Sequence, residues 1–141
     1  MRTKPVLAAI SAITLALPAT VAFAGDPEEG ERQWRQCRSC HMITSDDGET
    51  IQRGGRVGAN LYGIANAPAA AVEGFRYSSD LITAAEEHDL VWTRENFIAY
   101  VKNPTGFLQD FTGDNSARSS MNFQMRSGAE DVWAYLQSLS E

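Results

Sequence analysis

The run Cys37-Arg38-Ser39-Cys40-His41 decides how the rest of this chain is read. It contains both cysteines and one of the two histidines in 141 residues. On a helical turn, side chains at i, i+3 and i+4 share a face, so Cys37, Cys40 and His41 can all meet one flat ligand. The residues before it read as a helix. Asp26 suits the N-cap, Pro27 the first helical position, and Glu29 completes a capping-box pattern, which predicts a helix to about Arg38.

C-x-x-C-H is the spacing of covalent haem c attachment. Two thiols form thioethers at the porphyrin edge, and the His41 imidazole reaches the iron. Three other readings fit less well. A redox dithiol of the thioredoxin kind needs a βαβ context, which the pattern lacks. A zinc site needs about four ligands, and outside the cluster only His88 is available. A plain disulfide leaves His41 without a role. For the sixth position on iron, the residue types allow Met42, Met121, Met125 and His88. Met42 is adjacent to His41 and cannot swing to the opposite face. His88 sits among acids in Glu86-Glu87-His88-Asp89, where a solvated role fits better. Met121 and Met125 both lie in a polar segment before the last helix, and spacing does not separate them.

Working outward, Thr44 to Gly58 is rich in Asp, Thr and Gly and predicts a loop, and residues 60–74 have neither a helical nor a strand period. Ser79-Asp80 opens a short helix to about Glu87. Thr93 caps another with Phe97, Ile98 and Val101 on one face, ended by Asn103-Pro104. Residues 106–120 read as a second long loop. Gly128 precedes a last helix striped by Val132, Trp133, Leu136 and Leu139. No strand runs or repeats stand out, so the expected class is all-α with four short helices and long loops. So few helices bury a modest core, and loops this long are usually functional. A large apolar cofactor answers both points.

Residues 1–24 read as a signal peptide. Arg2 and Lys4 form the basic start, Val6 to Leu17 the apolar stretch, and Ala22-Phe23-Ala24 a small-residue cleavage site before Gly25. The expected mature chain is a single domain, 25–141, exported to the periplasm. The whole sequence sets 12 basic residues against 18 acidic ones, a net charge of −6. Without the two leader bases the net charge is −8. That acidity excludes a general nucleic-acid binder, which needs clustered Lys and Arg.

Several segments beyond the haem motif resemble the class I cytochromes c, most closely bacterial soluble carriers of the cytochrome c2 type. They are Gly30-Glu31-Arg32-Gln33-Trp34, Gly58-Ala59-Asn60-Leu61-Tyr62-Gly63, Gly74-Phe75-Arg76-Tyr77, Val91-Trp92-Thr93, Tyr100-Val101-Lys102-Asn103-Pro104, Ser120-Met121-Asn122-Phe123 and Glu130 to Leu136. The resemblance spans essentially all of 25–141. It implies the cytochrome c fold, in which the terminal helices cross and enclose one covalent haem. It implies Cys37 and Cys40 as attachment points and His41 and Met121 as axial ligands, the Met two residues before an aromatic being the family ligand. It places the carbonyl of Ala59 on the outer nitrogen of His41, Tyr77 and Trp92 near a haem propionate, and Tyr100 and Ser119 beside the Met sulfur. Gly30 and Trp34 would lie at the helix crossing against Val132 and Tyr135.

The chain departs from the family pattern in places. Ala59 replaces a proline, so φ there is no longer locked. Ala67 or its neighbours occupy the place of a propionate-binding arginine. Relatives commonly dock through a ring of lysines around the exposed haem edge, yet Lys102 is the only lysine after the leader. Arg35 also falls near that edge, and Arg38, Arg53, Arg56, Arg118 and Arg126 are the expected partner-docking residues; the alternative is a uniformly acidic surface kept soluble by repulsion.

The resemblance implies a diffusible monomeric one-electron carrier and not an enzyme. Its donor would be a quinol-cytochrome c oxidoreductase, and its acceptor an oxidase, a photosynthetic reaction centre or a periplasmic reductase. Two rival expectations are a peroxidase-like haem enzyme with a labile Met ligand and a fixed subunit of a periplasmic oxidoreductase.

Overall fold

A computed structural model describes residues 25–140. The signal-peptide reading of 1–24 lies outside the described residues. In chain order the elements are α1 (Pro27–Gln33), a 3-10 turn (Trp34–Gln36), β1 (Ile43–Thr44), β2 (Thr50–Gln52), α2 (Ser79–Glu86), α3 (Arg94–Lys102), α4 (Pro104–Thr112) and α5 (Ala129–Ser138). No described helix is long and apolar enough to cross a membrane.

The first helix starts where expected, and its end differs. Asp26 accepts from the backbone N–H of Glu28 at 2.9 Å and of Glu29 at 3.3 Å. The reciprocal half of a capping box is missing. Glu29 turns outward to accept from Gln33 and Arg32, while the N–H of Asp26 donates to Asp131 Oδ1 at 2.9 Å. The α-helical ladder then tightens into the 3-10 turn, and Trp34 is buried at 2% exposure.

Three further expectations are corrected. Within the expected loop of residues 44–58, and just ahead of it, β1 and β2 pair antiparallel, with Ile43 opposite Gln52 and Thr44 opposite Thr50. Each strand is two or three residues long, too short for a period to show. In the irregular stretch, Pro68 bridges Val91. In residues 106–120, α4 forms from Pro104. Asn103 ends α3, and its side chain then accepts from the N–H of Gly106 at 3.1 Å to start α4. Proline suits the first position of a helix, where its missing N–H costs nothing.

The core is built mainly by α5 against α1 and α3. Val132, Trp133, Tyr135 and Leu136 are buried along α5, and Phe97 on α3 packs on Trp133 with ring centroids 5.4 Å apart. At the α1–α5 crossing Gly30 is the contact point. A Cβ added there would run into the carbonyl of Asp131 and stand 2.7 Å from Tyr135 Cβ. Two backbones this close leave room only for hydrogen.

Candidate functional site

The segment Cys37–His41 follows directly from the 3-10 turn. The N–H of His41 donates to the carbonyl of Cys37 at 3.0 Å, and that of Cys40 to the same carbonyl at 3.1 Å. This single turn holds both thiols and the imidazole close together. The thiols are free and half-buried. Burial, and next the neighbouring Cys40, push the Cys37 thiol up to about 11.

A glycine-rich loop is fastened over this turn. The N–H of Gly55 donates to the carbonyl of Arg38 at 2.9 Å, and that of Gly58 to the carbonyl of Cys40 at 2.8 Å. Gly58 lies so close to the imidazole that a Cβ would stand 2.6 Å from Nε2. The His41 Nδ1–H donates to the carbonyl of Ala59 at 2.8 Å. That bond fixes the tautomer and leaves the Nε2 lone pair for a metal. Burial lowers the His41 pKa and so favours the neutral ring, and the Ala59 bond partly opposes that shift. Asn60 holds this strap in place. Its Oδ1 accepts from the N–H of Thr44 at 3.0 Å, and its Nδ2 donates to the Thr44 carbonyl at 2.7 Å.

A second group of residues forms around Met121. The Tyr100 and Ser119 hydroxyls bond at 2.8 Å, and Ser119 Oγ accepts from the N–H of Met121 at 3.0 Å. Two helices brace the same segment. Asp80 on α2 accepts from the N–H of Arg118 at 2.7 Å, and Thr105 on α4 accepts from that of Ser119 at 3.2 Å. Trp92 stacks edge-on to Tyr100 with centroids 4.9 Å apart, and the backbone N–H of Trp92 donates to the carbonyl of Ala67 at 2.9 Å. The Tyr77 hydroxyl accepts from the N–H of Val72 at 3.2 Å. Met121 is partly buried, whereas Met125 is core at 2% exposure and Met42 is partly buried. His88 is exposed.

The expected docking arginines are all exposed, and they do not form one cluster. Arg38 and Arg53 share a groove whose lining residues include neither Arg56, Arg118 nor Arg126. Arg118 folds back on its own loop, donating to the carbonyls of Asn115 at 3.2 Å and Ala117 at 2.8 Å. Sequence reasoning missed two residues. Val57 and Phe123 are the exposed large hydrophobics among the described residues, at 81% and 41%. Val57 precedes the Gly58 that faces His41, and Phe123 follows Met121 by two. Val57 gave no signal beyond an apolar residue in a polar loop, whereas Phe123 stood in the sequence as the aromatic two residues after Met121.

The residues fit a covalently held haem. An imidazole whose Nε2 is left free by the Ala59 bond, two thiols on the same turn and a glycine strap that leaves no side chain against the ring are what such a group needs. A fold that carries its prosthetic group in this way is a c-type cytochrome. No family model matches the chain. Cytochrome c-551 of Roseobacter denitrificans is 46% identical over 134 residues, covering 95% of this chain and 94% of that protein. Cytochrome c2 of Rhodovulum adriaticum is 43% identical over 122 residues, covering 84% and 96%. Among solved structures, ferric cytochrome c-550 from Paracoccus versutus aligns with a TM-score of 0.80 at 38% identity, covering 83% of this chain and 99% of that one. Cytochrome c2 of Paracoccus denitrificans aligns at 0.79 and 39%, covering 82% and 97%. The chain belongs to the cytochrome c2 family of class I c-type cytochromes, which carry one haem c and transfer electrons without being enzymes.

Proposed function

We propose that this protein is a periplasmic one-electron carrier whose haem is attached at Cys37 and Cys40 and ligated by His41 and Met121. The observation that carries this reading is the pair of braced ligands. Ala59 orients His41, and Ser119 with Tyr100 holds the backbone of Met121. Bound haem c supplies the Fe(III)/Fe(II) couple, and a His/Met set raises its potential. These bonds lie within the chain and restrain both residues, which favours a small rearrangement when an electron moves. Tyr77, Trp92 and Tyr100 contribute aromatic bulk that excludes water, and the tyrosine hydroxyls already have partners within the protein. The reading includes a cleaved leader at 1–24, a monomeric domain from 25 to 141, a quinol-oxidising donor complex and an oxidase, reaction centre or reductase as acceptor.

Docking would use the exposed arginines with Val57 and Phe123. Long-range attraction between charges is screened within about 8 Å at physiological salt. Electron-transfer rates with an acidic partner are therefore expected to fall as salt is added, and Arg56→Gln to flatten that dependence. Rates that rise with salt would contradict a basic docking face. A visible spectrum with redox titration of the exported protein tests the site. The expected result is a covalent haem spectrum and the red ferric band of a thioether ligand, and no such band at neutral pH would overturn the ligand assignment.

The brace on Met121 has its own test. Asp80→Ala removes the acceptor for the N–H of Arg118, a bond to a charged group worth about 1.5 kcal/mol. On heating, the thioether band is expected to disappear several degrees earlier than in the parent. Asp80→Asn, which keeps an acceptor, should restore most of the difference. Identical melting of the band in all three proteins would remove Asp80 from this role.

A further inference from the structure

A groove opens between the first helical segment and β2, with a cavity volume of about 440 Å³. Arg32, Arg35, Arg38 and Arg53 line it together with Glu31 and Trp34. Two of its charges already have partners. Arg32 pairs with Glu29 at 2.8 Å, and Glu31 accepts from Gln52 at 3.2 Å. Arg35, Arg38 and Arg53 have no carboxylate within 4.0 Å among the described residues. Three unpaired guanidinium groups around one concavity repel each other, in a chain that has acids to spare. Trp34 forms part of the wall, and its indole Nε1 is buried with no acceptor.

We propose that this groove is a binding site for a compact polyanion with two adjacent phosphate-type groups, held by Arg35, Arg38 and Arg53. A guanidinium presents two parallel donors that match the oxygens of a phosphate group. Three of them balance the charge of about −3 that a diphosphate carries at neutral pH, whereas a single phosphate leaves one arginine unsatisfied. The volume falls within the roughly 300–1,000 Å³ usual for small-molecule sites. The concave lining favours a free anion over a membrane surface, which would need protruding cations. The proposal goes beyond the carrier reading and stands whether or not Met121 ligates iron.

The test is calorimetric titration of inorganic pyrophosphate into the oxidised holoprotein at low ionic strength. The expected result is one site with a dissociation constant below about 1 mM, and weaker binding of orthophosphate. The double variant Arg35→Gln/Arg53→Gln spares the attachment turn. It should keep the parent's visible spectrum and bind pyrophosphate at least tenfold more weakly. Arg76→Gln, which removes an exposed arginine outside the groove, should stay within twofold of the parent. Binding by the double variant within twofold of the parent would overturn the proposal. So would an equal loss in Arg76→Gln, orthophosphate binding as tightly as pyrophosphate, or binding to vesicles of anionic lipid in the absence of any pyrophosphate binding. The visible spectrum reports the ligand assignment separately, so the two readings can fail independently.

Discussion

Met121→Leu is expected to retain covalent haem and to lose the red ferric band entirely. Its midpoint potential should fall by a few tenths of a volt, within the ~0.8 V over which axial ligands set haem potentials. Leucine has nearly the volume of methionine and offers no lone pair, so packing changes little while ligation is removed. Met125→Ala should behave in the opposite way. Met125 is 2% exposed, and its N–H donates to the carbonyl of Val101 at 2.7 Å. Truncating so buried a side chain costs about 2–5 kcal/mol and should leave the band intact. The pair distinguishes the proposed ligand from a core residue of the same type, four positions away. A band that survives Met121→Leu and disappears in Met125→Ala would reverse the assignment.

Gly30→Ala is expected to destabilise the fold by about 3 kcal/mol, a fall in Tm of about 10 °C or more. The added methyl would run into the carbonyl of Asp131 and crowd Tyr135. Both belong to α5, so relief requires α1 and α5 to move apart. That movement would also strain the Asp26–Asp131 bond and the 2.9 Å bond from Gln52 to the Tyr135 hydroxyl. Intrinsic helix preference acts the other way, favouring alanine over glycine by about 1 kcal/mol. The sign of the change in thermal unfolding is therefore decisive. A higher Tm would mean that the crossing is not as tight as described.

The parts of the fold that were readable in the sequence are those where one residue has one job. Asp26 and Thr93 cap the helices they were expected to cap, and the stripe on α5 faces the core. The misreadings come from residues with two jobs. Asn103-Pro104 ends one helix and begins the next, so α4 was hidden, although Phe107, Leu108 and Phe111 already carry helical spacing. Glu29 has the position for a capping box and instead bonds to Gln33 and Arg32 along its own helix. The β1–β2 pairing joins strands of two and three residues, too short for any period to register. At the site, the attachment motif was legible because covalent chemistry fixes its spacing. The Asp80 and Thr105 braces and the arginine groove were not, since each joins segments far apart in the chain.

The α1–α5 crossing has a consequence for how the molecule is made. Seven residues of α1 and ten of α5 are each shorter than the ~12–15 that an isolated helix needs to persist in water. Each therefore depends on tertiary packing, α1 on α5 and α5 on both α1 and α3. Joining α1 to α5 closes a loop of about 100 residues, an entropic cost of about 4 kcal/mol. The first helix of the domain to leave the ribosome therefore lacks its packing partner until nearly the last residues follow.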